Sequence, residues 1–215
     1  MANPEHLEIL KQGLEVWNQW REKNPNIQPD LQNADLCGAD FSNKSDIDEA
    51  LFPNKFVNVY NKLRCFLDYN YKIPIGINLE QANLMGANLE KTNLRGAVLE
   101  KADLRIAHLK MAKLEKANLK SADCERANFE GCNLENANLS AADLRQANLR
   151  CVKLNSADLR IAKLETTILE KADLRMCNMI DSVLDQTVLT GAKLWESNRS
   201  GWSIKSAICE YVFFD

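Results

Sequence analysis

The hydrophobic and polar positions of this chain repeat every five residues from Leu79 to Leu194 without a break. Of the 24 positions at the centre of a repeat, 21 hold Leu. The position two residues earlier is Ala in 16 repeats, and the position between these two is Asn or Asp in 15. An α-helix needs an apolar period near 3.6 and a flat strand a period of two, so neither explains the pattern.

Each repeat predicts a short extended side followed by a corner. The centre residue and the residue two before it, such as Leu139 and Ala137, point the same way, as alternate residues of an extended chain do. The next two residues must turn, because otherwise the following apolar pair would face the opposite side. Equal corners in one rotational sense coil the chain into a solenoid. Its interior is predicted to be narrow, because small residues point inward and Phe129 is the one aromatic residue between 79 and 194.

The consensus A-(D/N)-L-x-x resembles the pentapeptide repeat family, as in residues 137–141 (ANLSA) and 142–146 (ADLRQ). The N-terminal segment, with Trp17, Trp20 and the run PDLQNADL, resembles cyanobacterial members. The resemblance implies an all-β solenoid, a right-handed quadrilateral β-helix with four repeats per coil. Twenty-four repeats would then form six coils over about 29 Å, at the usual strand spacing.

The flanking patterns predict additional segments. Residues 3–23 indicate one helix, with Asn3 as its N-cap and Pro4 at its first position. We favour a cap over the open end of the solenoid for this helix, and a partner-binding helix is the alternative. The predicted boundaries are an N-terminal capping helix at 1–25, first pentapeptide repeats at 26–43, a helical insertion at 44–76, the β-helix at 77–198 and an irregular coil or cap at 199–215.

Two regions outside the regular repeats are rich in aromatic residues. The insertion has a broad apolar face at helical spacing, which either packs on the coils or presents a partner site. The C-terminal segment would leave an adhesive β-edge, which we expect to be capped, paired in a homodimer or followed by further sequence. The candidate partner contacts are Phe56, Tyr60, Phe66, Trp195, Tyr211 and Phe213.

The sequence predicts no catalytic, cofactor or metal site, and therefore no enzyme. It has two histidines, no Ser/His/Asp arrangement and no Gly-rich phosphate loop. Asp103, Asp123 and Asp143 would stack as a carboxylate ladder, but Asn and Asp alternate freely at this position. The seven cysteines have no metal-like spacing. Four are expected to point inward and Cys151 is expected at an exposed corner; the inward four are Cys124, Cys132, Cys177 and Cys209.

The charges are balanced along the predicted rod. Residues 79–198 contain 17 acidic and 17 basic residues, so the net charge of −3 comes from the ends. Stacked at twenty residues per coil, corner columns alternate in sign, which suits pairing between coils. One column reads Arg105, Glu125, Arg145, Glu165, and the next reads Glu90, Lys110, Glu130, Arg150, Glu170.

These features predict a non-catalytic structural scaffold with an unidentified protein partner. The alternative is inhibition of a type II topoisomerase such as gyrase, because some members of the family mimic DNA with an acidic rod. That activity needs long columns of acid, and direct nucleic-acid binding needs a basic stripe; neither is present. The chain has no long apolar run and no signal-peptide pattern, which predicts a cytoplasmic location away from membranes.

Overall fold

The computed structural model describes residues 2–41 and 76–213 of the 215-residue chain. Two helices, α1 (Pro4–Lys11) and α2 (Leu14–Lys23), precede the repeats. The repeats form isolated parallel bridges instead of longer strands, and between 78 and 213 each bridge joins residues twenty positions apart. Four repeats therefore make one coil, and the coils stack into a solenoid.

The first coil is assembled from two separate parts of the chain. Asp30, Asp35 and Asp40 supply three of its sides by pairing with the second coil, and Asn78 supplies the fourth. Residues 42–75 therefore fall, in the sequence, between the third and fourth sides of one coil. The stack has seven complete coils, one more than expected, because the early repeats belong to it despite their different phase.

Hydrogen bonds between coils use most of the backbone N–H groups of each repeat. The N–H groups of Leu144 and Gln146 donate to carbonyls of the next coil, at 2.7 and 3.1 Å. The N–H group of Asn148 donates to the previous coil at 3.0 Å. The N–H group of Ala147 donates to the Leu144 carbonyl across the corner, at 3.0 Å. One N–H group in five, that of the first corner residue, is left for another partner.

The outward Asn or Asp supplies that partner. The N–H group of Arg145 donates to Oδ1 of Asp143 at 3.2 Å, and that of Glu130 donates to Oδ1 of Asn128 at 3.1 Å. Both side chains offer such an oxygen, which explains why Asn and Asp interchange at this position. The Asn or Asp that precedes the centre residue of a repeat is thus part of the fold.

The second corner residue adopts a left-handed conformation. Twenty-two non-glycine residues of the described chain have φ between 55° and 61°. A positive φ at the third residue of a four-residue turn, closed by the bond across the corner, is the type II arrangement. Ile106, Ile161 and Thr166 are β-branched and crowd the backbone most in this conformation, which costs an L-residue about 1–2 kcal/mol.

Leu and Ala fill the interior as predicted. From Leu79 to Leu194 every centre residue is at most 3% exposed. Where a hydroxyl residue replaces Ala, its side chain donates to a backbone carbonyl. Thr167 and Ser182 donate to the carbonyl three residues earlier, at 2.6 and 2.8 Å, whereas Thr92 donates to the Leu36 carbonyl of the first coil at 2.8 Å. These buried hydroxyl groups are therefore satisfied.

The C-terminal coil keeps its register but loses its interior. Bridges continue at the same spacing to Phe213, although an irregular coil is predicted for 199–215. Arg199 occupies a centre position, and Ile204 at the next one is 41% exposed. Cys209 is also exposed, so its inward assignment is wrong. The reason is that no further coil of the described chain covers this end.

The prediction of a single helix over 3–23 is also wrong. The chain turns at Gly13, which has a φ of 106°, and the N–H groups of Gln12 and Gly13 bond three residues back to close α1. The predicted N-cap is confirmed, because Oδ1 of Asn3 accepts from the N–H group of Glu5 at 2.9 Å. Neither described helix has the length and apolar character needed to cross a membrane.

The helices hydrogen-bond to the exposed edge of the first coil, whose outer backbone groups have no preceding coil to pair with. On the first side, the N–H group of Asp30 donates to Nδ1 of the buried His6 at 2.9 Å. The Asp30 carbonyl accepts from the N–H group of Asn3 at 3.0 Å. Both outward backbone groups of this residue are therefore satisfied by α1 and its cap.

On the fourth side, α2 supplies the partners. The N–H group of Asn78 donates to Oδ1 of Asn18 at 2.9 Å, and its carbonyl accepts from Nε1 of Trp17 at 2.6 Å. The Glu80 carbonyl accepts from Nη2 of Arg21 at 3.0 Å. Burial lowers the pKa of Arg21, and the nearby Glu80 carboxylate opposes that shift.

Trp17→Phe should lower the free energy of unfolding by about 1–3 kcal/mol, because the Asn78 carbonyl loses its donor while an aromatic ring is kept. Thermal and urea unfolding, followed by circular dichroism, measures the change. Gln19→Ala, on the exposed face of the same helix, is the matched control. Equal stability of the two variants would contradict the capping role that we predict for these helices.

Ile161→Gly should raise the free energy of unfolding by about 1 kcal/mol, because glycine relieves the left-handed strain. The Ile161 side chain is 62% exposed, so its removal loses little burial. Gly131→Ala should have the opposite sign: its φ is 67°, and the new Cβ would meet Met111 Cγ only at 3.7 Å. Urea denaturation compares the two, and a shift in the same direction for both would refute the role of strain.

Candidate functional site

The predicted charge columns pair between adjacent coils. Nζ of Lys110 lies 3.0 Å from Oε1 of Glu130, and Arg150 forms an ion pair with Glu170. Both pairs join residues twenty positions apart, as the alternation predicts. Exposed pairs contribute little to stability. Their consequence is a rod surface without a long column of one sign.

Four Asp-Leu-Arg triplets add ion pairs that the sequence analysis did not identify. In one of them, Nε and Nη2 of Arg160 donate to the two carboxylate oxygens of Asp158 at 2.9 and 2.6 Å. Arg105 and Arg145 of the predicted column likewise fold back on their own repeat, while Nη2 of Arg145 also lies 3.7 Å from Oε2 of Glu125 on the preceding coil, as the column predicts. We call this two-bond contact between the arginine and the aspartate of one triplet a fork. The triplet is its sequence signal, and the fork recurs at 103–105, 143–145 and 173–175.

These forks change the acidity of the aspartates. Hydrogen bonds from the arginine hold the pKa of Asp103, Asp158 and Asp173 below the usual value. At Asp143 burial acts most strongly and in the opposite direction, but the hydrogen bonds from Arg145 leave its pKa lowered as well. All four carboxylates are thus held in the charged form by their own repeats.

The carboxylate ladder is part of the fold. Asp103, Asp123 and Asp143 stack in register on three coils, and each accepts the N–H group of its own corner. Arg105 and Arg145 neutralise the outer two. Within 2–41 and 76–213, no three His, Cys, Asp or Glu side chains are placed to hold a metal ion.

The interior cysteines are structural. The thiols of Cys132 and Cys177 donate to backbone carbonyls at 2.6 and 2.9 Å, and burial raises the pKa of both to about 12. Cys124 is buried in the same way. Cys151 is exposed at a corner, as predicted.

The structure brings two aromatic candidates of the last coil, Tyr211 and Phe213, into contact. The rings of Tyr211 and Phe213 meet edge to face at 5.8 Å, and these residues are 51% and 48% exposed. Trp195 lies on the preceding coil, and the centre of its ring is 5.0 Å from the guanidinium of Arg175, which lies one coil earlier still. The other three candidates lie outside the described residues: Phe56, Tyr60 and Phe66.

The C-terminal aromatic residues lie at the opposite end of the rod from Phe41. Phe41 follows the third side of the first coil, and Trp195 follows the same side six coils later, which corresponds to about 29 Å at the usual strand spacing.

A family model described as Pentapeptide repeats matches residues 82–120, 122–160 and 162–198, more than half of the chain. The chain belongs to the pentapeptide repeat family. Its β-solenoid is accordingly the right-handed β-helix of that family. No curated protein matches this pentapeptide repeat protein.

Solved structures of family members are similar to the chain. Rfr23 from the cyanobacterium Cyanothece 51142 is 27% identical over 48% of this chain, with a TM-score of 0.32; the match spans 64% of Rfr23, less than two thirds of it. HetL, involved in heterocyst differentiation regulation in Nostoc sp. strain PCC 7120, is 22% identical over 93% of this chain and 95% of its own, with a TM-score of 0.30. QnrB1, a plasmid-mediated fluoroquinolone resistance protein, is 15% identical over 62% of this chain and 78% of its own, with a TM-score of 0.29.

Replacing the four forked aspartates by asparagine should weaken the acid sensitivity of this pentapeptide repeat protein. A lowered pKa in the folded state contributes stability above the unfolded pKa, near 4, and this stability is lost as the pH falls through the folded pKa. Asn keeps the oxygen that accepts the corner N–H group but cannot be protonated in this range. The substitutions are Asp103→Asn, Asp143→Asn, Asp158→Asn and Asp173→Asn.

Melting temperatures between pH 7 and pH 2 measure the effect. The wild type should lose more of its melting temperature below pH 4 than the fourfold variant. Asp123→Asn is the control and should follow the wild type, because Glu125 stands where the other four repeats have the arginine of the fork. The Asp123 carboxylate lies 3.6 Å from Nε of Arg105 on the preceding coil but forms no two-bond pair with it. Identical pH profiles for the wild type and the fourfold variant would show that the forks do not couple to folding.

Proposed function

We propose that this protein is a non-catalytic scaffold, a stiff β-solenoid that holds protein-contact elements away from its regular faces. The observation that carries this proposal is that many outward polar groups of the rod form hydrogen bonds and ion pairs with one another. The corner N–H groups donate to the Asn and Asp side-chain oxygens, and the arginines of the Asp-Leu-Arg triplets donate to the aspartates of the same triplets. The regular faces then offer a partner few free groups, which leaves the segment 44–76 and the aromatic C-terminal coils.

The spacing of the repeats supports the assignment of 44–76 as an added element. If Asn43 were joined directly to Ile77, Leu79 would follow Phe41 by one regular repeat. Ser42 and Asn43 would form the corner, with Asn at the left-handed position that it tolerates well. The solenoid therefore does not need this segment to continue its coil, which favours a contact role for it.

Excision of 44–76 tests the proposal. The shortened chain should keep the circular dichroism spectrum of the rod and unfold cooperatively, because its five-residue spacing is restored. In pull-downs from the native host, it should lose the partner that the full chain captures. The triple variant Phe56→Ala, Tyr60→Ala and Phe66→Ala should lose the same partner without any change of chain length. An unfolded excision variant would instead assign 44–76 to the core.

The alternative function is inhibition of a gyrase-type topoisomerase by mimicry of DNA. The balanced charge of residues 79–198 and the ion pairs between coils speak against it, since a basic groove would meet no acidic column. A DNA supercoiling assay with the purified protein separates the two functions. Inhibition at sub-micromolar protein would replace the scaffold proposal.

Two further expectations remain proposals. The exposed pair Tyr211 and Phe213 would support a homodimer through the C-terminal coils, and sedimentation of the wild type against Phe213→Ser would test it. The other is a cytoplasmic location.

A further inference from the structure

The second side of the first coil lacks the partners that the first and fourth sides have. The helices satisfy the outward backbone groups of Asp30 and Asn78, as described above. The outward N–H and C=O groups of Asp35 have no hydrogen-bond partner among the described residues. The next residue, Leu36, occupies a centre position but remains partly exposed, whereas Leu31 on the capped side is fully buried. Within the described part of the chain, the end of the solenoid is therefore open at this side.

A cavity of about 320 Å³ lies against the open side. One wall comes from the bend between the helices, with Leu10 and Leu14, and the other from Leu36, Ala39 and Phe41 of the first coil. The cavity thus combines an apolar surface with the outward N–H and C=O groups of Asp35, which have no described partner. An exposed strand edge of this kind offers an unpaired donor and acceptor with which another chain can pair.

We propose that this open side binds an extended peptide segment of a partner protein, which adds one strand to the first coil. Its backbone would pair with the N–H and C=O groups of Asp35, and one of its apolar side chains would enter the cavity over Leu36. An extended peptide is the fitting occupant because a helix has no free backbone groups along its length to offer this edge. The exposed Asp35 carboxylate favours basic residues beside the apolar one, since the nearby Lys11 is already paired with Glu8.

The proposal rests on the scaffold role but names a contact separate from 44–76 and from the aromatic coils. Its test uses a defined peptide, so a failed pull-down with the excision variant would leave it intact. Conversely, failure of the peptide test would leave the contact role of 44–76 untouched.

Cys37 gives a direct readout, because its thiol is free and exposed two residues from Asp35. The probe is a blocked eight-residue peptide with one leucine, lysine flanks and one cysteine carried as its mixed disulfide with cysteamine. The full chain is equilibrated with it under mild reducing conditions, and mass spectrometry counts the adduct at each cysteine. Two control peptides replace leucine by aspartate or carry N-methyl groups that block strand pairing.

The parent peptide should modify Cys37 about tenfold more than either control peptide, because both the side-chain and the backbone contacts contribute to binding. Cys151 and Cys209, which are exposed on other parts of the rod, should react equally with all three peptides. Equal modification of Cys37 by the three peptides would overturn the proposal, and is the outcome expected if a second copy or another part of this chain covers the open side.

Matched variants of α2 sharpen the test. Leu14→Arg places a charge in the cavity and should reduce the Cys37 adduct to the level of the controls. Val16→Arg, at a residue that is 40% exposed and does not line the cavity, should leave the adduct unchanged. Ala39→Glu blocks the cavity from the first coil. It serves as a second cavity variant that does not alter α2, in case Leu14→Arg destabilises that helix. An undiminished adduct in both cavity variants would also overturn the proposal.

Discussion

The backbone hydrogen bonds between coils are the constraint on which the rest of this structure depends. In the repeat that contains Leu144, three N–H groups donate to other coils, one donates across the corner, and the fifth donates to a side-chain oxygen. A repeat of four or six residues would move the inward pair out of register with the coils on either side. The five-residue length is therefore set by the backbone, and the Leu and Ala side chains follow from it.

The same constraint explains where the backbone is strained and why the terminal coils need contacts from other elements. Each corner places its second residue in a left-handed conformation, which most residues avoid, and the described chain accepts this strain at 22 non-glycine positions. The stacked neighbours overdetermine the corner and hold it there. Stabilisation of this nearest-neighbour kind fails at a terminal coil, which has neighbours on one side only. The contacts of His6, Trp17 and Arg21 with the first coil fill that gap at the N-terminal end.

Much of this architecture could be predicted from the sequence, because a five-residue period has few physical interpretations. This period predicts the interior from Leu79 to Leu194, the recurring Asn or Asp before the centre residues and the alternating charge columns. The break at Gly13 and the bonds from Trp17 could not be predicted, since they depend on where the helices meet the first coil. The place of Asp30, Asp35 and Asp40 was also hidden, because a long insertion separates them from the side that completes their coil.

The balance of charge has a consequence for recognition. An acidic or basic rod attracts partners along its whole length, whereas alternating ion pairs cancel within a few ångströms of the surface at physiological salt. A partner of this protein would then have to be recognised by short-range contacts, which require unpaired backbone groups or exposed apolar side chains. Among the described residues, both occur together where the regular stack is interrupted, at the open side beside Asp35 and Leu36. Exposed apolar side chains such as Ile106 and Ile161 also occur on the regular faces, but their N–H groups are paired within the stack. The interruptions of the repeat are therefore the places that offer both kinds of contact together.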